Sequence, residues 1–146
     1  MKKASKNDLE DILDIEMNSG LDFPIQRNEK KMKKYFKRRF KEGEIFFLYD
    51  DLGFVSIIKD YEDGAQINYL SVKQKHHGKG IGTKLMKKAE NFIKEKLNKN
   101  KAYVYCWIKN NKALKFYFKL GYKITDYKDN RYSWGDPALI LSKNLK

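Results

Sequence analysis

The stretch that most restricts the fold runs from Ile67 to Phe92, INYLSVKQKHHGKGIGTKLMKKAENF. Its start is strand-like, with Ile67, Leu70 and Val72 apolar, and a basic turn begins at Lys73. Gly78, Gly80 and Gly82 follow, and from Ile81 the apolar residues Leu85, Ala89, Phe92 and Ile93 recur at helical spacing. Glycines just before a helix permit a sharp turn and leave amide N–H groups that no side chain screens. The first N–H groups of a helix lack internal partners and carry the positive end of its dipole. Strand, glycine turn and helix in that order predict a socket for phosphate or pyrophosphate, with Lys75, Lys79 and Lys84 adding charge. The stretch asks for an anionic ligand.

Two common phosphate-binding patterns fail on spacing. A P-loop needs G-x-x-x-x-G-K-[ST], and Gly82-Thr83-Lys84 has the last residues in another order. A dinucleotide fingerprint needs G-x-G-x-x-G followed by a βαβ unit with an acidic residue about twenty positions on, and neither is present. The run VKQKHHGKGIGTKL, Val72 to Leu85, instead resembles the pyrophosphate loop of the GNAT superfamily of acyl-CoA-dependent N-acyltransferases. That family's pattern is Arg or Gln, two residues, Gly, one residue, then Gly or Ala. Gly80 and Gly82 take the two small positions, and His77 stands where Arg or Gln is usual.

A second likeness begins about thirty residues further on. Asn110–Tyr122, NNKALKFYFKLGY, offers Asn110 as an N-cap, Ala113, Leu114, Tyr117 and Leu120 on one helical face, and Gly121 at C′. It resembles the family signature N-x-x-A-[IL]-x-[FLW]-Y-x-x-x-G-[FY] at nearly every position. Any capped helix could carry such a segment. Its spacing after the glycine motif makes it specific.

The remaining segments fall into a β-α-α-β-β-β-α-β-α-β-β string. Lys2–Ala4 reads as a short strand, and Ser5 with Asp8 as a capping box. The helix that follows buries Leu9, Ile12, Leu13 and Met17 and ends near Gly20. A loop over 21–28 contains Pro24. Lys30–Lys41 is an amphipathic helix with Met32, Tyr35, Phe36 and Phe40 on its apolar stripe and lysines outside. Ile45–Tyr49, Phe54–Lys59 and Ala65–Val72 form a meander, Ala102–Ile108 is a strand, and Tyr122–Lys128 with Ala138–Lys143 closes the chain as a hairpin.

The 146 residues make one domain, 1–146, with no apolar window long enough for a membrane span and no signal-peptide core, so a cytoplasmic protein is expected. Cys106 is the sole cysteine and the two histidines are adjacent, a poor basis for a metal site. The net charge of +13 invites a nucleic-acid partner. It comes from 28 lysines against 4 arginines, however, and arginine is the residue most used to read bases. The charge is therefore read as serving a polyanionic ligand and solubility.

The resemblance implies an α/β (α+β) GNAT fold: a mixed, mostly antiparallel, twisted sheet of six to seven strands flanked by about four helices, splayed between the fourth and fifth strands. It implies acetyl-CoA as acyl donor, no metal, and direct attack of an amine on the thioester by a monomer or homodimer. The donor would contact Leu70, Ser71, Val72, His77, Gly78, Lys79, Gly80, Ile81, Gly82, Thr83, Asn110 and Tyr117. Tyr117 matches the family's general acid, which protonates the departing thiolate; an ordinary phenol pKa near 10 against a thiol near 8.5 makes that donation reasonable. A backbone amide at Leu70 or Val72 would hold the oxyanion.

The base is not assigned by the resemblance. Positions where relatives carry glutamate hold Asn68 and Tyr105 here, leaving a water chain, Tyr105, Tyr132, Glu62 or Asp136. Residues 131–138, RYSWGDPA, look like an acceptor loop of the Nα-acetyltransferases, in which Tyr132 matches a tyrosine lining the peptide site; Tyr105 and Tyr132 are thus the substrate-binding candidates. A protein or peptide amine and a small polyamine, amino acid or amino sugar both stay open as acceptors. So does a non-catalytic acyl-CoA- or nucleic-acid-binding module on the same fold.

Overall fold

The computed structural model describes residues 1–20, 28–129, 131 and 135–146. The expected loop around Pro24, and Tyr132 with its neighbours Ser133 and Trp134, lie outside the described residues. The strands are β1 (Lys2–Lys3), β2 (Ile45–Tyr49), β3 (Gly53–Tyr61), β4 (Gly64–Val72), β5 (Lys101–Trp107), β6 (Lys123–Lys128) and β7 (Ala138–Asn144). The helices are α1 (Leu9–Met17), α2 (Glu29–Lys41), α3 (Ile81–Glu95) and α4 (Asn111–Lys119). One sheet contains all seven strands of the described residues, in the order β1-β2-β3-β4-β5-β7-β6. Every neighbouring pair is antiparallel except β4–β5. Mixed sheet, four helices and element order agree with the sequence; the insertion of β7 between β5 and β6 was not foreseen.

Local chemistry accounts for the helix ends. Ser5 and Asp8 complete the capping box, but the turn they open, Lys6–Asp8, is 3-10, and the α-helix starts at Leu9. Asn28 caps α2 by accepting from the Lys31 N–H, and Asn110 caps α4 by accepting from the Ala113 N–H. Gly121 takes φ +95°, as a C′ residue must.

The two sheet faces bury different helices. On one, Leu85, Met86, Ala89 and Ile93 of α3 cover Phe47, Val55, Ile57, Ala65, Ile67, Val104 and Cys106, with α4 adding Ala113, Leu114, Phe116 and Tyr117. On the other, Ile12 of α1 and Phe36 of α2, both fully buried, meet Phe46, Leu48 and Phe54. Burying each Leu, Ile, Met or Phe side chain is worth about 1.5–3 kcal/mol, which fixes both helix layers against the sheet.

The splay follows from pairing. β4 and β5 meet only over Ala65–Ile67 and Ala102–Val104. Beyond Ile67, β4 continues along β3 as far as Val72, while β5 continues along β7 as far as Trp107. A bulge helps to part them. The register with β3 skips Asn68, and the displaced Tyr69 N–H is received by the buried Ser56 hydroxyl at 3.1 Å.

The closed end of the V depends on Gly64. A Cβ there would stand 2.1 Å from the Lys101 carbonyl oxygen and 2.9 Å from its carbon, so any side chain drives β4 and β5 apart. Gly64→Ala is therefore expected to cost about 2–3 kcal/mol, as severe overpacking does. At roughly 3 °C per kcal/mol for a chain of this size, its thermal midpoint by circular dichroism should fall about 6–9 °C. A fall under 2 °C would show that the contact relaxes freely.

Candidate active site

The glycine motif sits at the open end of the V. The Lys73 N–H donates to the Leu52 carbonyl, and the Gln74 N–H to the Asn18 carbonyl at 2.8 Å, which ties the turn to α1. The Lys73 ammonium adds an ion pair with Asp14 at 2.9 Å. His77 makes a contact within the turn. Its Nε2 donates to the Val72 carbonyl at 2.8 Å and so closes the turn on itself. His76 accepts from Lys79 Nζ at 3.2 Å. Its pKa is held below the ordinary histidine value by desolvation first, then by Lys79, Lys75 and Lys73. The turn is electropositive.

Gly78 and Gly80 adopt φ +78° and +80°, where a side chain is strained, and a Cβ at either would meet nothing within 4 Å. Gly80 is the N-cap of α3 and offers no side-chain acceptor to the amides that follow. The N–H groups of Ile81, Gly82 and Thr83 thus open onto a bare glycine surface with lysines around it. Gly82 has a packing role instead: its Cβ position lies 3.5 Å from the Phe116 ring. That contact brings α4 against the start of α3. Tyr117, the next residue, is half-buried, with its ring 5.8 Å from that of Tyr122. Tyr122 donates to Glu90 at 2.8 Å, and Lys143 binds the same carboxylate at 3.0 Å, so the ring beneath Tyr117 is anchored.

Along the inner edge of β4, the backbone of 68–72 has no partner strand on the β5 side among the described residues. Leu70 and Val72 pack with the α3 core, and the Ser71 hydroxyl donates to the buried Glu16 carboxylate on the opposite face. An unpaired strand edge that leads to an uncapped helix N-terminus fits a ligand with amides along its length and phosphates at its end. Acetyl-CoA has that form and supplies an activated thioester. The residues that would hold it are the backbone of 68–72, the 78–83 turn and the lysines of that turn.

The other face of the V is aromatic and polar. Tyr103, Tyr105 and Trp107 alternate with the core residues Ala102, Val104 and Cys106 and therefore point away from α3. The Tyr61 and Tyr105 hydroxyls are 2.6 Å apart. Burial first, and that bond next, push the Tyr61 phenol well above its usual value. Tyr103 donates to Asp63, and Trp107 Nε1 donates to Asp136 at 3.0 Å. The Arg131 guanidinium lies 5.2 Å from the Tyr105 ring centroid. Cys106 is buried and its thiol is pushed up to about 11 by desolvation, which leaves it inert as a nucleophile. Of the carboxylates considered as base, Glu62 sits in the exposed β3–β4 turn, and Asp136 is held by Trp107 and, at 3.6 Å, by Lys109.

Four residues on this face had drawn no notice: Arg39, Glu44, Tyr61 and Gln66. Glu44 was legible in principle, because it falls in phase with Phe46 and Leu48 at i, i+2 and i+4, so strand alternation sends it inward. The others are joined to the site only by contacts across the sheet.

The splayed mixed sheet with a glycine turn at its open end is the GNAT fold. The chain belongs to the acetyltransferase (GNAT) family, whose model matches residues 9–122. It is 30% identical over 92 residues to an uncharacterised N-acetyltransferase of Methanocaldococcus jannaschii, covering 63% of this chain and 58% of that one. A second N-acetyltransferase of that organism is 27% identical and is covered over 60% of its length, so the chain spans about three fifths of these relatives. It is 28% identical to N-alpha-acetyltransferase 50 of Danio rerio, over 85% of this chain and 77% of that one. Among solved structures, the ribosomal-protein-S18-alanine N-acetyltransferase of Escherichia coli superposes with a TM-score of 0.78 at 17% identity, covering 99% of this chain and 92% of that one. A spermidine N-acetyltransferase mutant of Vibrio cholerae gives 0.75 at 16% identity with the same coverages. The same fold thus serves a protein acceptor in one and a polyamine in the other. No metal-binding group of side chains occurs among the described residues, and no described helix is long and apolar enough to cross a membrane.

Proposed function

We propose that this chain is an acetyl-CoA-dependent N-acetyltransferase whose acceptor is the α-amino group of a peptide or protein. The observation that carries the acceptor class is chemical: the residues at the parting of the strands, Asn68 and Tyr105, bring no carboxylate to the amine. Glu44, beside Asn68, is sealed from solvent and committed to Arg39. The raised Tyr61 phenol is no base near neutrality. An acceptor must therefore arrive with its proton already lost in part. At pH 7.5 an α-amine of pKa about 7.7–8.0 is roughly one-third neutral, whereas a lysine ε-amine near 10.4 is about 0.1% neutral. The ratio is about three-hundredfold. A net charge of +13 also disfavours a polycationic acceptor such as spermidine.

The test is release of free thiol from acetyl-CoA with three acceptors: short peptides with a free α-amino terminus, Nα-blocked lysyl peptides, and spermidine. At pH 7.5 the first should exceed the others in kcat/KM by a hundredfold or more. The gap should narrow nearly tenfold per pH unit as the ε-amines deprotonate. Equal rates at pH 7.5 would remove the α-amine assignment. Acetyl-CoA binding with no thiol release from any acceptor would instead support a non-catalytic binding module.

A further inference from the structure

Glu44 stands at the entry to β2 with a side chain of 0% exposure. Its carboxylate accepts from Arg39 Nε at 2.6 Å and from Asn68 Nδ2 at 3.1 and 3.3 Å. A carboxylate taken wholly out of water is tolerated only when paired and hydrogen-bonded. Arg39 answers the charge. The Glu44 carboxylate also accepts from Asn68, the residue inserted at the bulge, which has no cross-strand partner on β3 or β5 among the described residues.

The orientation of Asn68 follows from what a carboxylate can do. It only accepts, so the Asn68 amide must present its NH2 to Glu44, and its Oδ1 is turned away. Gln66 Nε2 reaches that oxygen only at 3.4 Å. Gln66 is itself buried at 6% exposure, and among the described residues its own Oε1 receives no donor. Two amide oxygens are thus left short of donors on the acceptor face. Asn68 and Tyr105 are the first residues past the last paired rung, Ile67 with Val104, on that same face. An uncharged oxygen short of donors at the parting of the strands suits an N–H of a primary amine.

We propose that Glu44 is a positioning residue for the acceptor: it locks the Asn68 carboxamide with Oδ1 toward the splay, where that oxygen receives an N–H of the incoming amine. This rests on the acetyltransferase reading. It also predicts the effect of the smallest possible change. In Glu44→Gln, Arg39 holds the new amide's oxygen, so its NH2 faces position 68 and turns the Asn68 oxygen inward. The amine then meets a donor in place of an acceptor.

The experiment uses an equimolar pool of short peptides with free α-amino termini and measures steady-state thiol release. Glu44→Gln should raise the peptide KM tenfold or more and leave the acetyl-CoA KM within about twofold, which also shows that the variant is folded. The exchanged pair Glu44→Gln with Asn68→Asp restores an outward oxygen. It should recover the peptide KM to within about threefold of the parent, and its kcat/KM should rise from a lower pH because a carboxylate now adjoins the amine. A peptide KM unmoved in Glu44→Gln, an equal rise in both KM values, or no recovery in the exchanged pair would each overturn the proposal. No transfer by the parent chain to any amine would overturn the acetyltransferase reading, and this proposal with it.

Discussion

Tyr117→Phe is expected to lower acetyl transfer about a hundredfold while acetyl-CoA affinity changes less than twofold. The magnitude is that of a general acid removed from a step that needs one. The expectation of unchanged binding comes from the packing. Tyr117 lies on a helix whose start is capped by Asn110 and whose Phe116 ring rests on Gly82, and its own ring is set against the anchored Tyr122. Phenylalanine keeps the ring and these contacts and loses the hydroxyl, whose proton would pass to the departing sulfur. The pH dependence gives a second signature. A tyrosine acid must be protonated, so activity falls as pH rises through its pKa, and the phenylalanine variant should lose that falling limb. If turnover and the limb both survived, Tyr117 would be a packing residue and water would protonate the thiolate.

What the sequence made legible was local or periodic. The glycine junction, both capped motifs, the meander and the buried faces of α1, α2 and α3 each depend on spacings of a few residues, and each stands where the pattern put it. The splay itself came from the family likeness, since no periodicity marks where two strands part. The structure supplies its cause in the bulge at Asn68 and the steric need for Gly64. The polar wiring of the acceptor face was hidden for a different reason. Glu44 and Asn68 are 24 positions apart, and Tyr61 and Tyr105 are 44 apart. Such pairs form only once β2, β3, β4 and β5 are laid side by side, and nothing in a window of ten residues signals them. His77 is the instructive intermediate. Its place in the motif was plain, but its bond to Val72, five residues back, is a contact that no spacing in the sequence signals.

Gly80→Asp should weaken acetyl-CoA binding about a hundredfold by calorimetry. Gly80 is the N-cap of α3 at φ +80°, and the space beyond its Cα is open, so the new side chain enters without collision. Any loss beyond the strain of the left-handed backbone must then come from charge. A carboxylate about 6 Å from one unit of phosphate charge, at an effective dielectric of about 20, is opposed by roughly 3 kcal/mol, which is near a hundredfold in affinity. Gly80→Asn separates this from shape. It has the same outline, asparagine tolerates the left-handed region better than most residues, and it carries no charge. Its affinity should stay within about tenfold of the parent. The aspartate penalty should also shrink as salt is raised, because screening acts on an exposed charge pair. Equal losses in the two variants would assign the effect to the left-handed backbone alone. Undiminished affinity in Gly80→Asp would move the pyrophosphate away from the start of α3.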